Sequence, residues 1–240
     1  MKITYRRHVF ALITVSLMLA ACSLGSDSSD TTVPLVTTTA VAASTDTEGV
    51  TPITPNGLTA TLSTIPASSS ISSADTAGLI WMREEEKLAH DVYVTLGNLW
   101  GSNVFSNISQ AENTHVSSVG TLLDRYDIKD PITSSEVGVF TDPTFTKLYG
   151  ELVATGSKSL IDAMTVGAVI EDLDIMDLQR LVSTSTDIAI VYDALELGSR
   201  NHMRAFYRQL QRLGADYTPT YISQAAFDAI IASNMEQGLM

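Results

Sequence analysis

Four segments of this 240-residue chain repeat apolar residues at the period of a helix, and each stripe is interrupted by an acid or a histidine. The first covers Thr76–Gly97, with Leu79, Met82, Ala89, Tyr93 and Leu96 on one face and Glu86 among them. The second covers Ser106–Tyr126, where Glu112 and His115 stand one turn apart on the face of Ile108, Ala111, Val119 and Leu122. The third, Leu160–Val182, sets Glu171 and Asp174 beside Ala168, Ile175 and Leu178. The fourth starts after Asp187, reaches Leu213 and carries His202 between Leu195 and Phe206. Asp75 is the expected N-cap of the first helix and Gly97 its expected stop.

A connection containing Pro131, Pro143 and a short helix near Phe145–Ala154 separates the second helix from the third. After Pro219 a terminal helix is expected over Ile222–Ser233. Two helical hairpins joined by one long connection predict an all-α fold, the ferritin-like four-helix bundle, with an extra C-terminal helix. Counting turns brings the interruptions to one level. Glu86 lies 11 residues before Gly97, Glu171 11 before Val182, Glu112 six beyond Ser106 and His202 15 beyond Asp187.

An ionised carboxylate moved out of water costs several kcal/mol unless it is neutralised. Four of them in one layer would exceed what a domain stable by roughly 5–15 kcal/mol tolerates. Divalent ions remove that cost, and oxygen donors joined by an imidazole suit iron or manganese. The candidate ligands are Glu86, Glu112, His115, Glu171, Asp174 and His202, around one ion or a pair. The competing reading of the same residues is a polar layer closed by its own hydrogen bonds. The pattern by itself leaves both open.

The remainder of the chain has another character. Lys2, Arg6 and Arg7 precede an apolar run from Val9 to Ala21, too short for a comfortable permanent span and matching an export signal. That run ends in Leu19-Ala20-Ala21-Cys22, which resembles the lipobox of bacterial lipoproteins. The resemblance implies cleavage after residue 21 and lipidation of Cys22, the chain's single cysteine. Several acyl chains on one residue hold a protein to a membrane stably. The expected location is therefore the cell envelope, on the periplasmic or extracellular face of a membrane. Residues 23–75 hold 23 Ser or Thr, four Pro and no aromatic residue, a composition expected to stay disordered as a tether. The domain is expected to begin at residue 76. Across the chain 27 acids face 14 Lys plus Arg, a net charge of −13. That excludes nucleic acid as a partner, because such binding is driven by basic residues displacing counterions. The expected partners are the membrane, metal ions and, as an option, a second copy in a homodimer.

The set of interruptions resembles the rubrerythrin and ferritin superfamily of di-iron carboxylate proteins. Glu86-Lys87-Leu88-Ala89 with Tyr93 is similar to that family's first-helix motif, and Glu112-Asn113-Thr114-His115 to its second-helix Glu-x-x-His. Glu171-x-x-Asp174 is similar to the third-helix Glu-x-x-Glu. Arg83–Ala89, Glu171–Ile175 and Gly198–His202 more closely resemble a prokaryotic ferritin-like family catalogued as domain of unknown function number 2202. The resemblance implies a dinuclear site, with Tyr93 as a nearby radical or hydrogen-bond donor. One departure stands out: where rubrerythrins carry the fourth-helix Glu, this chain has Ser199. Glu196 lies one turn earlier and is also placed to pair with Arg200.

Other polar residues read more plainly. Glu84 and Glu85 are expected on a solvated face, with Glu85 the fallback ligand if the stripe is rotated, His90 at the edge of the stripe, and Arg200, Arg204, Arg208 and Arg212 on a solvated or ion-paired face. Three function classes fit: a redox enzyme acting on peroxide or dioxygen, a metal-handling lipoprotein, and a structural bundle. If Cys22 carries the anchor, Cys22→Ala shifts the protein from the membrane fraction to the soluble one. A variant that still sediments with membranes and resists salt extraction would contradict the lipobox reading.

Overall fold

The described residues, 55–237 of this computed structural model, form seven helices and no strand. The expected signal (1–21), Cys22 and residues 22–54 of the expected tether lie outside them. Helix α1 is Pro55–Thr64, inside the stretch expected to be a disordered spacer. It forms because Leu58 and Leu62, four residues apart, share one face and are both buried. Arg125 donates to the carbonyls of Leu62, at 3.2 Å, and Ile65. This corrects the expected disorder of residues 55–64: Ser and Thr dominate the segment, but two leucines suffice to dock it.

Helix α2 is Ser73–Trp100, and a reciprocal cap starts it. Ser72 accepts from the Asp75 N–H at 3.0 Å, while the Asp75 carboxylate accepts from the Ser72 N–H at 3.0 Å. Asp75 is thus the third residue of the helix and Ser72 its cap. Gly97, the expected stop, lies within α2, where a Cβ would meet Phe105 Cβ at 3.0 Å. The stop is Gly101, whose φ of 62° supplies the left-handed turn. Helix α3 is Asn103–Arg125 and α4 is Pro143–Gly156, the latter capped by Asp142 with Pro143 in its first turn. Helix α5 (Leu160–Arg180) starts on Ser159, α6 is Thr186–Arg212, and α7 (Gln224–Ala232) starts on Ser223.

Two antiparallel pairs, α2 with α3 and α5 with α6, build the bundle, and α3–α6 and α2–α5 contacts join them. Helix α4 packs on α2 and α5, and α7 on α6. The apolar core is divided in two. One part holds Leu58, Leu62, Leu79, Met82, Val119, Leu122, Leu178, Val191 and Leu195. The other holds Leu88, Val92, Tyr93, Phe105, Ile108, Ile175, Met203 and Phe206. Between them lie residues 84–87 of α2, 112–115 of α3, 171–174 of α5 and 199–202 of α6. The polar layer is sandwiched by two apolar ones.

Two segments are fastened beside this layer. The long connection is held by Glu84, which accepts from the N–H groups of Thr141 and Asp142, and by Asp91, which accepts from the Gly138 N–H at 2.9 Å. The C-terminal segment is held by buried Asp172, which accepts from Tyr217 Oη at 2.8 Å and from the N–H groups of Thr220, Tyr221 and Ile222. No helix among the described residues is long and apolar enough to cross a membrane.

Close approach of α5 to α6 depends on Gly167, since a Cβ there would collide with the Phe206 ring. That ring stacks obliquely on Tyr93 and Phe105, at centroid distances of 5.1 and 5.4 Å, and cannot withdraw. Gly167→Val should therefore destabilise the protein by about 1–3 kcal/mol, the usual cost of overpacking a filled core. Denaturant unfolding measures it, and an unchanged midpoint would contradict this packing.

Candidate metal centre

The four long helices each lend side chains to one buried cluster. Helix α2 gives Glu86, α3 gives Glu112 and His115, α5 gives Glu171 and Asp174, and α6 gives Ser199 and His202. The Glu-x-x-His spacing on α3 puts its two side chains on one face, so both reach the interior. Glu86, Glu112, His115, Glu171 and His202 are at most 2% exposed, and Asp174 is 6% exposed.

Two sets of three donors share Glu112. His115 Nδ1 lies 3.2 Å from Glu86 Oε2 and 2.8 Å from Glu112 Oε2. His202 Nδ1 lies 2.8 Å from Glu112 Oε1 and 3.5 Å from Glu171 Oε2. Within each set the ligand atoms all fall within 4.8 Å of one another. The two imidazoles stack at 5.4 Å between centroids. Of the six expected ligands, five join these two sets. Asp174 stands beside them, accepting a short hydrogen bond from Ser199 Oγ.

The cluster has more acceptors and ring nitrogens than its own hydrogen bonds use. Glu86 Oε1, Asp174 Oδ1 and both ring nitrogens of His202 are buried without a hydrogen bond. The approach of His202 to Glu112 is close yet lacks hydrogen-bond geometry. Buried polar atoms are almost always paired, so such a concentration calls for a ligand. Donors about 2.1 Å from one ion and at right angles to each other lie about 3 Å apart, close to the 2.8–3.5 Å between each imidazole Nδ1 and the carboxylates it faces. Carboxylate oxygen and imidazole nitrogen suit iron or manganese, and no cysteine occurs among the described residues to favour a softer ion. The residues fit a metal.

Without metal, protons do the neutralising. Burial raises the pKa of Glu86 to about 7, against the pull of His115. Burial likewise raises Glu171 and pushes Asp174 well up, the latter helped by the charges of Glu86 and Glu85. For Glu112 burial acts upward, but His202 and His115 on either side outweigh it and hold its carboxyl below the usual range. Burial opposes charge on His202, yet Glu112 and Glu171 outweigh it and raise its pKa to about 9. His115 is raised well above its ordinary value in the same way by Glu112 and Glu86.

The shell around these groups is specific. Tyr93 Oη donates a short hydrogen bond to Glu171 Oε1. Ser199 occupies the level where a further carboxylate was expected from the resemblance, and holds Asp174. Glu196 does not replace that carboxylate: it pairs with Arg200 at 2.8 Å and accepts from Gln179 at 3.0 Å. His90 stays at the edge, bonded to Asp91 at 2.9 Å. Arg200 and Arg204 pair with Glu236, each at 2.6 Å.

The expected solvated face of Glu84 and Glu85 is corrected, because they are 3% and 2% exposed. Three successive residues sweep about 200° of a helix, so only a helix with neighbours on several sides buries all three. Helix α2 is such a helix, packed by α3, α4 and α5. The periodicity of a single stripe missed this. A further signal was present in the uninterrupted charged run Arg83–Lys87, which leaves no face of the helix without a charged residue.

Comparison with known proteins adds relatives of undetermined activity. A family described as an uncharacterized protein domain, DUF2202, matches residues 75–234. The chain is 50% identical over 171 residues to the uncharacterized protein MJ0754 of Methanocaldococcus jannaschii, covering 70% of this chain and 92% of that one. A crystal structure of the hypothetical protein MJ0754 from Methanococcus jannaschii aligns with a TM-score of 0.70 at 49% identity. That alignment covers 72% of this chain and 99% of the other.

The proton inventory sets a pH dependence. His202, raised from 6.5 to about 9, adds stability that is complete below 6.5 and lost as pH rises through 9. Glu86, raised from 4.5 to about 7, adds stability that is complete below 4.5 and lost as pH rises through 7. Glu112 acts oppositely, its contribution being lost in acid. The melting temperature of chelator-treated protein should therefore fall by several degrees from pH 6.5 to 9, at about 2–4 °C per kcal/mol. Glu86→Gln should remove part of the fall between pH 4.5 and 7. A flat profile in wild type would contradict these protonation states.

Proposed function

The chain belongs to the DUF2202 family, and from that premise we propose that it is a ferritin-like metal protein binding iron or manganese within the four-helix bundle. The ligands are Glu86, His115 and Glu112 on one side, and Glu112, Glu171 and His202 on the other, with Asp174 in reserve. The observation that carries this reading is the convergence of both imidazole Nδ1 atoms on Glu112. Each of those nitrogens also faces a second carboxylate, in a layer that leaves buried polar atoms unbonded. Bound iron or manganese would supply electron transfer toward peroxide or dioxygen.

The chain's own residues prepare the site for that role. Glu112 is the anionic pivot that both imidazoles face. Tyr93 keeps a hydroxyl proton on Glu171 Oε1 and is itself shielded from water by Phe105 and Phe206. Ser199 orients Asp174. One observation favours metal binding without turnover: position 199 contributes a hydroxyl where the resemblance expects a bridging or terminal acid, so the centre is one carboxylate short. The setting of this chemistry is the cell envelope, with lipid on Cys22 holding the domain to a membrane through residues 23–54.

The test is thermal melting of the full chain, wild type and His115→Ala, with and without Fe(II) or Mn(II). An ion at about 100 times its Kd stabilises the native state by about 2.7 kcal/mol. That corresponds to a rise of roughly 5–10 °C. Losing His115 should weaken binding by at least the ~10–100-fold seen for residues that merely orient ligands, and so erase most of the rise. Equal shifts in both proteins, or none in either, would favour the metal-free polar layer. Peroxide consumption by the iron-loaded wild type separates the redox enzyme from the metal-handling protein.

A further inference from the structure

A second set of carboxylates runs from the surface to the cluster along the seam of α2 and α5. Asp177 on α5 stands at the outer end, its side chain 19% exposed. Glu85 on α2 comes next, 2% exposed, with neither carboxylate oxygen in a hydrogen bond. The Trp81 indole N–H is shared between the two carboxyls: it is engaged by Asp177 Oδ2 at 3.3 Å and also acts on Glu85. Asp174 follows at the inner end, 6% exposed, with Oδ1 unbonded, and then Glu86, with Oε1 unbonded. The carboxyls interact electrostatically with one another: Glu85 with Asp177 on the outer side and with Glu86 and Asp174 on the inner side, and Asp174 with Glu86 and Glu171. The buried carboxylate oxygens without a hydrogen bond among the described residues all belong to Glu85, Asp174 and Glu86.

A structural ion pair would not look like this. Glu84 and Asp172, also buried, spend their oxygens on backbone N–H groups, whereas Glu85 accepts from no backbone N–H. Leaving both oxygens of a buried carboxyl unbonded costs stability and gives the fold nothing in return. It does suit a group that must accept a cation briefly and release it. Around the outer end stand Trp81, Tyr221 from the segment tied down by Asp172, and Arg180, whose Nη1 is 4.0 Å from Asp177 Oδ1. Arg180 is 65% exposed, so its pairing with Asp177 is loose and open to displacement by a divalent ion.

We propose that Asp177 and Glu85 form the path by which a divalent cation passes from solvent to the Glu86–Glu112–Glu171 centre, with Asp174 as the last carrier. The proposal rests on the centre binding metal. Its test follows loading of the chelator-treated full chain with Co(II), read by stopped-flow absorbance and by cobalt per chain at equilibrium. Wild type is compared with Glu85→Gln, Asp177→Asn and the remote exposed control Glu151→Gln. The expected result is loading at least tenfold slower in Glu85→Gln and Asp177→Asn, at wild-type final cobalt content, with Glu151→Gln unchanged. Loading of both path variants at the wild-type rate would overturn the path while leaving the centre intact. A Glu85→Gln protein that loses cobalt at equilibrium would also overturn it, by making Glu85 a ligand instead. Wild type that takes up no cobalt would overturn the centre and the path together.

Discussion

Ionisable groups buried away from solvent must be neutralised, and the rest of the bundle is organised around that requirement. Glu85, Glu86, Glu112, Glu171 and Asp174 lie in one cross-section with His115 and His202, all but removed from solvent. Two imidazoles cannot balance five carboxyls. In the metal-free protein the balance comes from protons retained on acids whose pKa burial has raised. A divalent ion would replace those protons, which ties metal binding to proton release and to stability in one equilibrium.

The apolar core serves that layer by closing it on both sides. Leu79, Met82, Val119, Leu122 and Leu195 seal one face, and Val92, Tyr93, Phe105, Met203 and Phe206 the other. Buried away from solvent, each electrostatic contact inside the layer is strengthened, and each unbonded atom becomes more costly. The flanking acids Glu84 and Asp172 have another task. By accepting backbone N–H groups they lock the long connection and the C-terminal segment against α2 and α5. Neighbouring carboxylates in sequence thus divide the work: Glu84 and Asp172 hold loops, Glu86 and Glu171 face the interior.

The four long helices and the inward placement of Glu86, Glu112, His115, Glu171 and His202 were legible in the sequence, because a 3.6-residue stripe interrupted by polar residues admits few alternatives. Helix ends were less legible. Gly97 reads as a stop from composition, but its missing Cβ serves close packing against Phe105, and only the backbone reveals that Gly101 turns left-handed. The α1 helix was hidden by Ser and Thr, since two buried leucines are a weak signal until their docking site is known. Glu84 and Glu85 were misread because a stripe assumes one buried face, whereas α2 is surrounded. The role of Ser199 needed the position of Asp174, a neighbour across helices rather than along the chain.

Metal content tests the central claim most directly. The full chain, purified from cells grown with iron and manganese both available, should carry iron or manganese at one to two ions per chain by elemental analysis. Glu112→Gln, which removes the carboxylate shared by both donor sets, should carry far less while remaining helical. A wild-type protein that retains its fold but holds no transition metal, and takes none up from Fe(II) or Mn(II), would contradict the account.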